Sequence, residues 1–384
     1  MAMVRKAKQV QTKINTLLFG NPFCGKSTMA LQSLLLKTPE GKPMRVLYID
    51  AEIGSVDDYL GDMEAQGAEL DNLLLVYTQS ITEVNEYIKK ATDGDDFYVI
   101  DEDGNETDEV ILDANGNPFR PDFIVVDGTS ILDLTTKQSI VEFSKKRAKV
   151  KADRDGLIGD ERFVKIEGGG IEIKDYQTIN FRAQDLILAL NGSGKHYIVT
   201  AREAEVKKSI KGKNGEIQMV STGEKIPEGF KQIAYNVKTN IRLFRDEEDY
   251  EVVKAHVLKD RTGVHRAGAI VEDPILLDWQ DAINKTSGNL DLAIRDSLDK
   301  AVSREIKARE KEALHLDEDE NIAQIAPTGS LESLQLEISA KIKNLKNATD
   351  KAQAKQKLVD ADLPTSPKTV TDIEVLKKIL EILS

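Results

Sequence analysis

The sequence predicts an α/β fold: a mostly parallel, twisted sheet flanked by helices, followed by a helical appendage. Three observations predict it. Apolar runs of strand length alternate with helix-like stretches through the first three quarters of the chain. These runs are continuous rather than alternating, as strands covered on both faces are. A glycine-rich turn, GNPFCGKST at 20–28, stands where the first strand hands over to a helix.

The elements follow in order. Residues 14–19 (INTLLF) form the first strand, and residues 28–36, rich in Met, Ala and Leu, the helix after the turn. Residues 45–50 (RVLYID) and 72–77 (NLLLVY) are the next strands, with a helix at 81–91. Residues 98–121 interrupt the rhythm with turns at Asp103-Gly104-Asn105 and Asn115-Gly116-Asn117, a small β-excursion. Its acids raise a cation site as an alternative to solvated turns. Residues 122–127 (DFIVVD) and 195–200 (KHYIVT) are strands, with a helix at 178–190. Strands at 239–245 and 251–258, joined by an acidic turn, extend the sheet as a hairpin. The core is expected to span residues 1–285. Residues 286–384 read as helical, with an acidic linker near 314–329 and a final helix carrying Ile373, Leu376, Ile379, Leu380 and Leu383 on one face.

Composition bounds the possibilities. A chain of 384 residues with 40% hydrophobic content can bury a large core and a second unit, and its single cysteine excludes a disulfide scaffold. No apolar run approaches a membrane span and the start MAMVRKAKQVQTK lacks an apolar signal core, so the expectation is a cytoplasmic protein without membrane contact. A net charge of −13 argues against a globally basic nucleic-acid binder, though not against a local basic surface.

The turn at 20–28 carries the chemistry. Its G-x-x-x-x-G-K-S pattern is the phosphate-cradling P-loop. Gly20 and Gly25 permit backbone conformations that let the N–H groups of Asn21, Pro22-flanked Phe23, Cys24 and Thr28 surround an anion. Lys26 reaches the β- and γ-phosphates, and Ser27 offers its hydroxyl to Mg²⁺. Cys24 is either a small filler or a thiol activated at a helix N-terminus. Asp127, ending a buried strand, is expected to hold Mg²⁺ through water. Of the acids in YIDAE, Glu52 is the candidate base for the attacking water, and Asp50 the alternative or an ordering group for the loop. ATP and Mg²⁺ are the expected cofactors.

The succession GNPFCGKST, VLYIDAE, NLLLVYTQS and FIVVDGTSIL resembles the ATPase core of RecA-like recombinases, over residues 13–265, and is most similar to the phage nucleotide-binding type, including phage single-strand annealing ATPases. The resemblance implies that Glu52 activates water, Asp127 serves Mg²⁺, and Lys26 and Ser27 bind phosphate. It implies two cations, Lys259 and Arg261 in VLKDRTG, that complete a neighbouring subunit's site in a homo-oligomer, ring or filament. It also implies single-stranded DNA binding by two segments. The first carries Lys145, Lys146, Arg147, Lys149, Lys151 and Arg154 and ends in Gly168-Gly169-Gly170. The second carries Lys207, Lys208, Lys211 and Lys213. The chain departs from RecA where RecA has a phosphate-sensing glutamine: here the strand ends Thr200-Ala201-Arg202-Glu203, and Arg202 is the substitute. The implied function is a Mg²⁺-dependent ATPase assisting phage-type recombination or annealing in the infected host cytoplasm. The alternatives are a nucleotide-gated assembly or regulatory ATPase without DNA and, more remotely, a small-molecule kinase.

Overall fold

A computed structural model describes residues 13–211, 216–230, 232–246, 249–285 and 301–310, and in the C-terminal stretch 334–335, 338, 341–342, 348–361, 363–364, 370 and 372–382. The chain divides into two compact units, residues 1–300 and 301–384.

The first unit is built on one large mixed sheet. Its strands are β1 (Asn15–Gly20), β2 (Val46–Asp50), β3 (Leu73–Tyr77), β6 (Phe123–Asp127), β7 (His196–Lys211), β8 (Ile217–Pro227), β9 (Thr239–Phe244), β10 (Lys254–Asp260) and β11 (Ile270–Glu272), while β4 (Tyr98–Ile100) and β5 (Glu106–Val110) form a separate two-stranded sheet. The spatial order is β11-β10-β9-β1-β7-β6-β2-β3, with β8 attached to β7 alone. From β9 to β3 every pair is parallel; β10 and β11 turn back antiparallel, as the hairpin reading expects. The fold class read from the sequence is the one observed.

Both faces of the sheet are covered, which explains the continuous apolar runs of its central strands, LLF in β1, VLYI in β2 and FIVV in β6. Leu18, Val46, Tyr48, Phe123 and Val125 face one layer, beneath α1 (Lys26–Leu31), Met63 of α2 (Leu60–Ala65) and the Leu276–Trp279 turn. Leu17, Phe19, Leu47, Ile49, Ile124 and Val126 face the other, where α3 (Ile81–Asp93) and α6 (Ile173–Gly192) contribute Val84, Ile88, Leu186 and Leu190. Each fully buried side chain of this kind is worth about 1.5–3 kcal/mol. The helix α3 has its ends written in sequence: Ser80 Oγ accepts the Glu83 N–H at 3.4 Å, and Gly94 closes it at φ 76°.

The excursion at 98–121 carries β4 and β5 and two turns built by the same device. Asp101 accepts the N–H groups of Asp103 and Asn105, and Asp113 those of Asn115 and Asn117. Asp101 and Asp113 are engaged by their own turns and Glu106 by Lys90, and among the described residues no acid, His or Cys cluster is arranged for a metal ion.

The structure gives the two basic segments regular form. The lysines and arginines of the first lie on the helix α4 (Thr129–Arg154), which is followed by α5 (Gly159–Glu167) before Gly168-Gly169-Gly170. Lys207, Lys208 and Lys211 of the second lie on the outer half of β7, paired with β8 in a long antiparallel arm. The second unit has helices at Ala348–Asp360 and Ile373–Ile382 and a small core of Leu334, Ile338, Leu358, Val370, Leu376 and Ile379. Of the apolar face expected on the last helix, Leu376 and Ile379 are buried, and Leu383 lies outside the described residues. The expected 314–329 linker also lies outside them. No helix among the described residues is long and apolar enough to cross a membrane.

Candidate functional site

Parallel register brings the carboxyl ends of four strands together. Gly20 of β1 pairs with Arg202 of β7, Val126 of β6 with Val199, and Asp50 of β2 with Asp127 of β6. A groove of about 710 Å³ opens there, lined by Gly25, Lys26, Ser27, Thr28, Glu52, Ser55, Tyr59 and Arg245, with Pro22 and Phe23 at its rim.

The loop from Gly20 to Gly25 is shaped by its own sequence. A Cβ on Gly20 would stand 1.9 Å from the Leu243 carbonyl oxygen, so only glycine lets β9 approach this closely. Gly25 precedes α1 at φ 78°, and the Met29 N–H donates to its carbonyl at 2.9 Å. Lys26 Nζ donates to the Asn21 carbonyl at 2.8 Å. From the β9 side, Arg245 Nε donates to the Phe23 carbonyl at 3.0 Å. Cys24 is buried, and its Sγ donates to the Asn21 carbonyl at 2.8 Å. Burial pushes its thiol pKa up, outweighing the nearby Lys26 ammonium, a direction that favours the filler role over an activated thiol.

Asp50 is fully buried and orders the loop that follows it. Its Oδ1 accepts the N–H groups of Glu52 at 2.8 Å and Ile53 at 3.1 Å, and its Oδ2 that of Ser55 at 2.8 Å. These bonds hold Ile53 at φ 56°, a conformation β-branched residues rarely adopt. Glu52 itself reaches the groove. Its side chain lies over Gly128, where a Cβ would come within 2.8 Å of Glu52 Cγ. Arg202 donates to Glu52 Oε1 from Nε at 3.2 Å and from Nη2 at 3.1 Å.

Asp127 is buried and does not line the groove. Its carboxylate accepts from three hydroxyls: Tyr48 at 2.7 Å, Ser55 at 2.8 Å, and Thr200. Burial, reinforced by Asp127, raises the Tyr48 pKa well above that of an ordinary phenol, so Tyr48 is a permanent donor. Ser55 thus stands between Asp127 and the groove.

The remaining expected residues lie elsewhere. Lys259 Nζ donates to the carbonyls of Ala234, Tyr235 and Val237, closing the short helix α7 (Ile233–Asn236). Burial, with Arg261 nearby, lowers its pKa. In the single chain its ammonium is thus held by its own backbone. Arg261 is exposed just beyond β10. Asp260 pairs with Thr239, and Thr239 with Thr16, so Arg261 sits at the sheet edge opposite the groove. At about 3.3 Å per residue that is on the order of 15 Å from the phosphate loop of its own chain.

The first basic segment is partly neutralised by acids packed against it. Lys145 pairs with Glu167 at 2.9 Å, Arg147 with Asp175, and Lys151 with Glu172 at 3.7 Å. Lys146 and Lys149 are exposed. On the arm, Lys207, Lys208 and Lys211 are exposed and form no ion pair among the described residues; they stand opposite Ser221, Val220 and Ile217 of β8. Lys213 lies outside the described residues.

Sequence reasoning misses Ser55, Tyr59 and Arg245 as groove residues. Ser55 and Tyr59 follow YIDAE closely enough to be candidates. Arg245 has no local signal, because the β9–β10 hairpin brings it to the loop.

No family model and no curated protein matches the chain. Among solved structures, it is similar to a KaiC-like protein from the hyperthermophilic archaeon Pyrococcus horikoshii OT3, at 13% identity over 68% of this chain and 90% of that one, with a TM-score of 0.38.

Proposed function

We propose that the chain is a Mg²⁺-dependent ATPase of RecA-like type that binds single-stranded DNA and assists phage-type recombination or annealing. The observation that supports this most is the shared groove: Lys26, Ser27 and Glu52 line one cleft at the carboxyl ends of parallel strands. In this reading the triphosphate lies along the turn before α1, and Lys26 exchanges the Asn21 carbonyl for phosphate oxygens. The residues present suit Mg²⁺, which takes one or two protein ligands and completes its shell with phosphate and water. Ser27 and Ser55 would hold it, with Asp127 behind Ser55, and when bound it neutralises charge on the phosphate oxygens. Glu52 accepts a proton from the attacking water. The water oxygen bonds to the γ-phosphorus as the bond to the bridging oxygen breaks, and ADP leaves with that electron pair.

DNA would lie on the arm, whose exposed lysines supply sequence-independent attraction that falls with salt. Arg261, out of reach of its own groove, is assigned to the neighbouring copy of a homo-oligomer. A second reading, a nucleotide-gated assembly ATPase without DNA, is favoured by one observation: the first basic segment spends part of its charge on Glu167, Asp175 and Glu172.

Phosphate release and sedimentation, each with and without an oligonucleotide at two salt concentrations, separate the two. DNA binding predicts hydrolysis stimulated by the oligonucleotide and weaker binding at the higher salt. Changing Lys207, Lys208 and Lys211 to Gln lowers the log–log salt slope by about 0.7 per lost contact. ATP-dependent oligomers indifferent to the oligonucleotide select the second reading. Release of no phosphate rejects both.

A further inference from the structure

The arm and the candidate base meet at one side chain. β7 runs unbroken from the buried His196 to the exposed Lys211, so the strand that forms the arm is also a central strand of the sheet. Where it leaves the body, both strands of the arm are fastened to one hydroxyl. Ser130 Oγ accepts the Arg202 N–H at 2.9 Å and donates to the Glu228 carbonyl at 3.0 Å, while the Glu228 N–H donates to the Arg202 carbonyl at 2.7 Å. The next residue is held as well: Arg242 Nε donates to Glu203 at 2.8 Å. Arg202, at this node, places both of its hydrogen bonds on Oε1 of Glu52.

We propose that Arg202 is a positioning residue that holds Glu52 aside while the arm is at rest, so that hydrolysis is governed from the arm. This rests on the ATPase reading above. A carboxylate engaged by a guanidinium is a poorer proton acceptor and is drawn toward β7. The backbone of Glu52 is fixed by Asp50 and its Cγ is seated over Gly128, which leaves the Arg202 contact as the adjustable one. The pair is half exposed, so the restraint is a modest one, about two- to five-fold in rate. Coupling of this kind is reciprocal: filling the groove must alter the arm as movement of the arm alters the groove.

The test uses the full chain and no nucleic acid. Arg202→Gln is expected to raise kcat for ATP about two- to five-fold with KM unchanged within about twofold, and Arg202→Lys, which keeps the charge, to stay near the wild-type rate. Hydrogen exchange of residues 203–211 and 217–227 is then compared with and without a non-hydrolysable ATP analogue. The wild-type arm should respond to the analogue and the Arg202→Gln arm should not. An unchanged or lowered kcat in Arg202→Gln, or an arm that responds alike in both proteins, overturns the inference. Glu52→Gln is the control that separates it from the reading beneath it. Wild-type turnover in Glu52→Gln, or no binding of the analogue, removes the assignment of the groove and this inference with it.

Discussion

Replacing Gly128 by alanine tests whether Glu52 is placed by the groove behind it. Two effects are expected, and they can be separated. Gly128 has φ 91°, and forcing alanine into a left-handed conformation costs about 1–2 kcal/mol. For a unit of this size that lowers Tm by roughly 2–8 °C. The second effect is local. The new Cβ would lie 2.8 Å from Glu52 Cγ, where ordinary contact begins at 3.4 Å, so the carboxylate must move by about 0.6 Å. A misplacement approaching 1 Å at a reacting group costs up to about 100-fold, so a loss of about 10-fold or more in kcat is expected. Gly116→Ala is the control, because Gly116 has φ 74° and an added Cβ there would meet nothing within 4 Å. Melting curves and phosphate release on both variants give the answer. Both should lose comparable Tm, and only Gly128→Ala should lose turnover. If Gly128→Ala keeps kcat within about twofold while melting earlier, Glu52 is not held there and the assignment of its position is wrong.

Other contacts carry expectations of their own. Asp50→Ala removes the buried acceptor of three N–H groups and should lower stability by about 1–3 kcal/mol in denaturant titration, with Asp50→Asn losing less. Burial, with Lys13, Lys238 and Lys195 nearby, lowers the His196 pKa well below its ordinary value. The unfolded chain therefore binds the extra proton below about pH 6.5. Stability should fall by about 1.4 kcal/mol per pH unit as the pH drops below that point, and His196→Gln should lose this component of the slope. Cys24, buried with a raised pKa, should react with iodoacetamide no faster than the chain opens, with or without ATP. Lys259→Met should destabilise the chain by about 1–2 kcal/mol through the carbonyls of α7, and mixing it with wild-type chains should leave the wild-type turnover unchanged.

What can be read from the sequence is local. GNPFCGKST forms its turn because glycine at 20 and 25 leaves little choice, and the buried strands ending at Asp50 and Asp127 announce themselves by unbroken apolar runs. The helix α4 is hidden because its apolar residues do not form a steady stripe; its many lysines read as loop. Their partners, Glu167, Glu172 and Asp175, lie beyond the end of that helix, and no spacing rule pairs residues that far apart. The arm is legible in part. Ile217, Met219 and Ser221 alternate with Gln218 and Val220 beyond an Asn214-Gly215 pair, a hairpin signal that the lysines obscure. The contact of Lys259 with the carbonyls of α7 joins residues more than twenty apart and has no signal in the neighbours of Lys259. The contact between Arg202 and Glu52 joins residues 150 apart and follows only from the register of β1, β7, β6 and β2.

The length of the arm has a consequence for how any signal can pass along it. Lys207 lies five residues beyond Arg202 and Lys211 nine, which at about 3.3 Å per residue places them roughly 15–30 Å from the guanidinium. In physiological salt the Debye length is about 8 Å, so the charge of a polyanion resting on those lysines is screened out before it reaches the groove. Between them, Lys225 forms ion pairs with Glu205 at 3.3 Å and Glu203 at 3.9 Å, and these close off the root further. Whatever touches the outer ribbon can be felt at Glu52 only as a displacement of the strand itself.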